Sequence, residues 1–281
     1  MHRRLPGFLL RDCASLAAAA GYGVALLTRT DAAGNIRPFA IDGEIDLLIT
    51  LAPELLLDVS LPPAREILCI EDRGFGMPAY NPAELANRVH AQGCAKLMFA
   101  AADRQSKAAL ADRGINADFF PLAVDRFERR RPITPVPRGA PALVAVSADL
   151  IGANPALLAT KGFRFCQMED DLGGGFGALG LADDFPPNVQ FYVEMNQEMG
   201  ICSRLAALAA GLVLVLDRNA AEDWADVAIC CDISEVFEKL SPLARYPHAY
   251  FDQAARGIAY VAANHGHAAF LKALRKYVAP V

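Results

Sequence analysis

The segment "VQFYVEMNQEMGICSRLAALAAGLVLVL", Val189 to Leu216, decides how this chain is read. It opens on "VQFYVEM" and closes on "LVLVL", two short runs that are apolar without alternation. Between them "GICSRLAALAAG" has helical spacing. Strand, helix, strand with continuously apolar strands means parallel strands buried on both faces of a sheet. Working outward, "ALVAVSA" and "FRFCQM" upstream and "VAICCD" downstream read as further strands. "NPALLATKG", "ISEVFEKLS", "HAYFDQAARGIAYVAANHG" and "HAAFLKALRKYV" read as helices, and nothing after Asp232 reads as a strand.

The first half repeats the alternation. "PGFLLRDCASLAAAAGYG" puts Phe8, Leu9, Cys13, Leu16, Ala17 and Ala20 on one helical face and stops at Gly21. Strand candidates are "GVALLT", "IDLLITLA", "REILCIED", "AKLMFAA" and "ADFFPLAV", with helices at "NPAELANRVHAQG" and "DRQSKAALADRG". The pattern halts at "DRFERRRPITPVPRGAP", where prolines and arginines replace periodicity and mark a linker. The expected fold is α/β: two doubly wound, Rossmann-like parallel-sheet domains in tandem, at 1–133 and 140–281.

Composition narrows the classes. Apolar residues are 54% of the 281, enough for a sizeable core, and the net charge is −5. The one dense basic run, "DRFERRRP", reads as a solvated linker, so no nucleic-acid partner is expected. The seven cysteines form no C-x-x-C pair and have irregular spacing, which suggests neither a disulfide framework nor a zinc site. A reducing cytoplasm is the simplest location. Arg11 and Asp12 interrupt the apolar run a signal peptide would need, and no run reaches the ~18 residues of a membrane-spanning helix. The oligomeric state is open, a homo-oligomer included.

Three segments resemble GT-B glycosyltransferases, more narrowly the spore-maturation-type and group 1 families. In "ADFFPLAVDRFERRRP", Pro121, Leu122, Ala123, Val124, Asp125 and Phe127 match a phrase at the last strand of that fold's first domain. "SRLAALAAGLVLVLDR" is similar to a helix and strand of its donor domain, and the run from Ile233 to Leu274 to its closing helices. The resemblance spans about half the chain. It implies a sugar moved from a nucleotide diphosphate sugar to an acceptor hydroxyl, with no other cofactor and no metal. It also implies a last helix that crosses back to the first domain. One position departs: where the families place a ribose-binding glutamate, this chain has Ala206. A reading as a non-catalytic scaffold or partner protein therefore stands beside the enzyme.

Ligands in open parallel sheets bind beyond the carboxyl ends of the strands. Glu71 and Asp72 end one strand before a glycine-flexible loop, and a carboxylate there suits removal of an acceptor proton; capping or pairing beside Arg73 is the alternative. Ser147 ends another strand. Glu194, Asn196, Gly200, Ser203 and Arg204 surround the start of a helix whose free N–H groups suit a diphosphate. Arg204 is expected to face those phosphates, so that Arg204→Ala weakens nucleotide diphosphate binding with little change in stability. There is no D-x-D: Asp183 and Asp184 precede "FPP". His265 and His267 read as a turn between helices.

One further stretch resembles another family. "EDDLGGGFGALG", Glu169 to Gly180, is close to the first motif of S-adenosylmethionine methyltransferases, with Glu194 where a ribose could sit. That motif belongs at the end of a first strand, near the start of a seven-stranded sheet. Here only three strand candidates follow, so an exposed loop between strands is the competing reading.

Overall fold

The computed structural model describes residues 7–24, 45–51, 53, 55–58, 64–71, 80–124, 132–147, 150, 160–168, 188–195 and 201–278. The chain forms two compact units: one joins Leu10–Leu122 to Ala268–Val281, the other is built on Ala123–His267. Both are α/β, each around a parallel sheet.

In the unit of Leu10–Leu122 the order is β1-β2-β3-β4: β1 (Ile45–Thr50), β2 (Ala64–Glu71), β3 (Lys96–Ala101) and β4 (Asp118–Phe119), all parallel. Helix α1 (Gly7–Ala19) buries Leu16 and Ala17, on the face its periodicity indicates. A short helix the spacing did not signal, α2 (Leu55–Asp58), buries Leu56. Helix α3 (Pro82–Ala91) starts where Asn81 Oδ1 accepts from Ala83 N at 2.9 Å, with Pro82 at its first position, where no N–H is missed. It buries Leu85 and Val89 against Ile67 and Cys69 of β2. Helix α4 (Arg104–Asp112) is capped by Asp103, which accepts from Ser106 N at 2.6 Å. The expected strand "ADFFPLAV" is shortened to two residues. Pro121 has no N–H to give a ladder, and Phe120 to Val124 continue as buried irregular chain.

The sheet of the unit of Ala123–His267 has the order β6-β5-β7-β8-β9. Its strands are β5 (Ala142–Ser147), β6 (Phe163–Met168), β7 (Phe191–Glu194), β8 (Val213–Asp217) and β9 (Ile229–Cys231), all parallel. Val144, Val146, Phe191, Val193 and Val215 make a core with Leu240 and Tyr250. The helices are α5 (Ile201–Ala209), the short α6 (Ala221–Trp224), α7 (Val236–Arg245) and α8 (Pro247–Asn264). Gly211 closes α5 at φ +76°, a conformation L side chains avoid. Gly257 of α8 lets that helix close on α5, since a Cβ there would stand 2.6 Å from Leu208 Cδ2. The Tyr250 hydroxyl bonds the carbonyls of Gln190 (3.2 Å) and Gly211 (3.3 Å).

Helix α9 (His267–Leu274) continues from α8 and belongs, from Ala268 on, to the unit of Leu10–Leu122. There Phe270 meets Phe120 edge to face at 6.0 Å, and the Tyr22 hydroxyl reaches Val278 O at 3.4 Å.

Residues 25–28 of "GVALLT", 154–159 of "NPALLATKG" and Glu169 to Gly180 lie outside the described residues.

Candidate functional site at the carboxyl ends of the strands

In the five-stranded sheet the chain leaves β5 toward β6 on one side, while β7, β8 and β9 add on the other. The carboxyl ends of β5 and β7 therefore flank the point where connections diverge, which is where open parallel sheets leave room for a ligand. Ser147 ends β5, and Glu194 ends β7. Ser203 and Arg204 lie in the first turn of α5, and both are buried. Asn196 and Gly200 lie outside the described residues, as does Asp72.

Glu194 and Arg204 are brought together. Glu194 Oε1 accepts from Arg204 Nε at 3.0 Å and from Nη2 at 2.6 Å. The side chains are 1% and 6% exposed respectively. Side chains on a helix tilt toward its N-terminus, so an arginine one turn into α5 points back to the strand end that feeds it. The guanidinium lies over the Trp224 ring, 5.6 Å from its centroid. Trp224 in turn packs on Tyr260 at 5.8 Å. In the ladder Glu194, Leu216 and Cys230 stand in one row across β7, β8 and β9. Burial pushes the Cys230 thiol up; Arg204 pulls it down and Asp217 pushes it up.

This geometry revises the expectation that losing Arg204 leaves stability unchanged. A charge this enclosed is part of the packing, and a diphosphate approaching α5 meets a guanidinium already joined to a carboxylate.

The four-stranded sheet carries a second polar cluster. Glu71, the last residue of β2, is 8% exposed and accepts a hydrogen bond from the Tyr80 hydroxyl. The Tyr80 ring stacks on Phe99 with 6.5 Å between centroids and 8° between planes. Arg113 lies 5.1 Å from the ring centroid and donates Nη2 to Tyr80 O at 2.7 Å. Burial, then the charge and hydrogen bond of Glu71, push the Tyr80 phenol far above its ordinary range.

At the ends of β8 and β9, Arg218 pairs with Glu235 (2.6 Å) and Asp232 (3.0 Å) in solvent. The backbone N–H of Asp232 and then Arg218 hold the Glu235 carboxyl below its ordinary range. Exposed pairs of this kind add little to stability. His265 joins α8 to α9 as expected and is fully buried, its carbonyl accepting from Val124 N at 2.9 Å. Among the described residues no group of three or more His, Cys, Asp or Glu side chains is placed to hold a metal ion. No helix among them is long and apolar enough to cross a membrane.

Trp224, Tyr80 and Arg113 were not singled out by the spacing. Trp224 is the chain's one tryptophan, a signal in hindsight. Tyr80 stands directly before the "NPAEL" cap, a position marked for local structure only.

The fold and this strand-end arrangement define an α/β protein with two parallel sheets. The sequence matches no family model and none of the curated proteins. Among solved structures, the chain is similar to TarM of S. aureus, a mutant crystallised with fondaparinux, alpha-GlcNAc-glycerol and UDP. That match has a TM-score of 0.50 and 9% identity, covering 82% of this chain and 55% of the other. An accessory secretory protein 1, 2 and 3 structure from Streptococcus pneumoniae matches with a TM-score of 0.47 and 13% identity, over 83% and 52% of the chains. The chain spans about half the length of either. At such identity the TarM likeness bears on the fold alone.

Proposed function

We propose that this chain is a GT-B-type glycosyltransferase, close to the spore-maturation-type and group 1 families, with two tandem Rossmann-like domains. It moves a sugar from a nucleotide diphosphate sugar to an acceptor hydroxyl in the cytoplasm, using no further cofactor. The observation that carries this reading is the divergence of connections between β5 and β7, with Ser147, Glu194 and the start of α5 beside it. The positive dipole end at that helix start suits a diphosphate. Ser147, Asn196, Gly200 and Ser203 are the proposed contacts. Arg204 adds its charge from behind, tied to Glu194. Glu71 and Asp72 are the proposed acceptor-side carboxylates. The similar TarM structure holds UDP, in line with a uridine nucleotide as the first ligand to try.

Calorimetric titration with UDP and GDP tests the donor site. Saturable binding is expected, and no heat at millimolar concentration with these or other nucleoside diphosphates would end the proposal.

One observation favours a second reading, a non-catalytic scaffold of the same fold. Ala206 stands where the resemblance implies a ribose-binding acid, and it is fully buried. Turnover of any nucleotide sugar would exclude that reading. The methyltransferase alternative has less support: its glycine stretch follows β6, an edge strand away from the divergence point.

A further inference from the structure

The geometry points to Tyr80 as the positioning residue of the acceptor-side carboxylate: its hydroxyl holds the Glu71 side chain in one orientation at the carboxyl end of β2. The inference rests on the glycosyltransferase reading above and names a residue that reading does not use.

Tyr80 is itself held on three sides. Asn81 caps α3 immediately after it, Phe99 stacks on one ring face, and Arg113 grips both the ring and the backbone carbonyl. A phenol fixed this way cannot swing away from Glu71. Its raised pKa keeps it a donor throughout the neutral range. A hydrogen bond from a neutral donor to a carboxylate favours the charged form, the form a base must have before it acts. The other titratable or charged groups acting on Tyr80 are Cys69 of β2 and Arg113 at the end of α4. A tyrosine placed only for packing has no need to spend its hydroxyl on a strand-end acid.

The step it serves is one proton transfer and one displacement. The acceptor O–H proton passes to a Glu71 oxygen. The freed electron pair forms the bond from the acceptor oxygen to the anomeric carbon. The bond from that carbon to the diphosphate oxygen breaks, and its pair leaves on the nucleotide.

The test is UDP release from UDP-glucose and UDP-N-acetylglucosamine, with water as acceptor, for the wild type, Glu71→Gln and Tyr80→Phe between pH 5 and 9. Tyr80→Phe keeps the ring stack. It should lower kcat about 10–100-fold, the scale of losing one strong oriented hydrogen bond, and leave KM for the donor unchanged. The acid limb of kcat should move to higher pH, since the carboxylate has lost the donor favouring its charged form. Glu71→Gln should abolish release. If Glu71→Gln is inactive while Tyr80→Phe keeps wild-type kcat and profile, the positioning role is overturned and the glycosyltransferase reading stands. Wild-type release by Glu71→Gln overturns the role of both residues. No release by the wild type from either donor is the separate failure of the reading itself, and the inference falls with it. Should Tyr80→Phe not fold, Arg113→Met loosens the same phenol; it should lower kcat with the same shift of the acid limb, and an unchanged kcat there overturns the inference.

Discussion

Arg204→Ala should destabilise the protein by about 3–5 kcal/mol, the range for removing one partner of a buried ion pair and stranding the other. The pair qualifies on the structure: both side chains are at least 94% buried, and two hydrogen bonds converge on Glu194 Oε1. The cation–π contact with Trp224 is lost too, worth about 0.5–2 kcal/mol and overlapping with that range. For a unit of roughly 150 residues this is a fall in Tm of about 6–20 °C. Trp224 is the only tryptophan and lies against the guanidinium, so its fluorescence in urea reports this site directly. The double variant Glu194→Gln, Arg204→Met carries no stranded charge and should recover most of the loss, because a buried pair contributes little net stability over apolar neighbours. Coupling near zero in that double-mutant cycle, or a loss below about 1 kcal/mol for Arg204→Ala, would refute a buried pair and put the guanidinium in water.

Three further outcomes are expected. Phe270→Ala, which empties a buried site against Phe120, should cost about 3–5 kcal/mol in chemical denaturation; a cost under 1 kcal/mol would mean α9 does not pack there. Burial raises Cys230 and Cys231 above their ordinary 9.0 and Tyr80 and Tyr250 above 10.0. These groups hold protons in the folded state that the unfolded chain releases, so stability is fully present below pH ~9 and falls as pH rises beyond it; a urea midpoint unchanged from pH 8 to 10.5 would contradict this. Arg218→Ala removes two solvent-facing ion pairs and should leave the melting temperature unchanged in 0.5 M salt, while a clear fall would show the network to be shielded.

The elements themselves were legible because they are local. Helix and strand periods depend on residues within about four positions of each other, so "FRFCQM", "LVLVL" and "DRQSKAALADRG" announce what they form. Caps such as Asn81 and Asp103 act over two or three residues. Strand ends follow from the same local pattern, which marks Glu71, Ser147 and Glu194. What the side chains do there was not legible. Arg204 is an arginine at a helix start in either reading, and only the packing of α5 against β8 and α8 turns it toward Glu194 and shuts out water. Tyr80 and Arg113 are 33 positions apart, and the hold of Arg113 on Tyr80, and of Tyr80 on Glu71, depends on where α3 and α4 land on the sheet. The order β6-β5-β7-β8-β9 is likewise decided in three dimensions. Strands β5, β7 and β8 are each apolar enough for any buried position, so their pairing follows from which crossovers cover both faces, a choice that no local pattern carries.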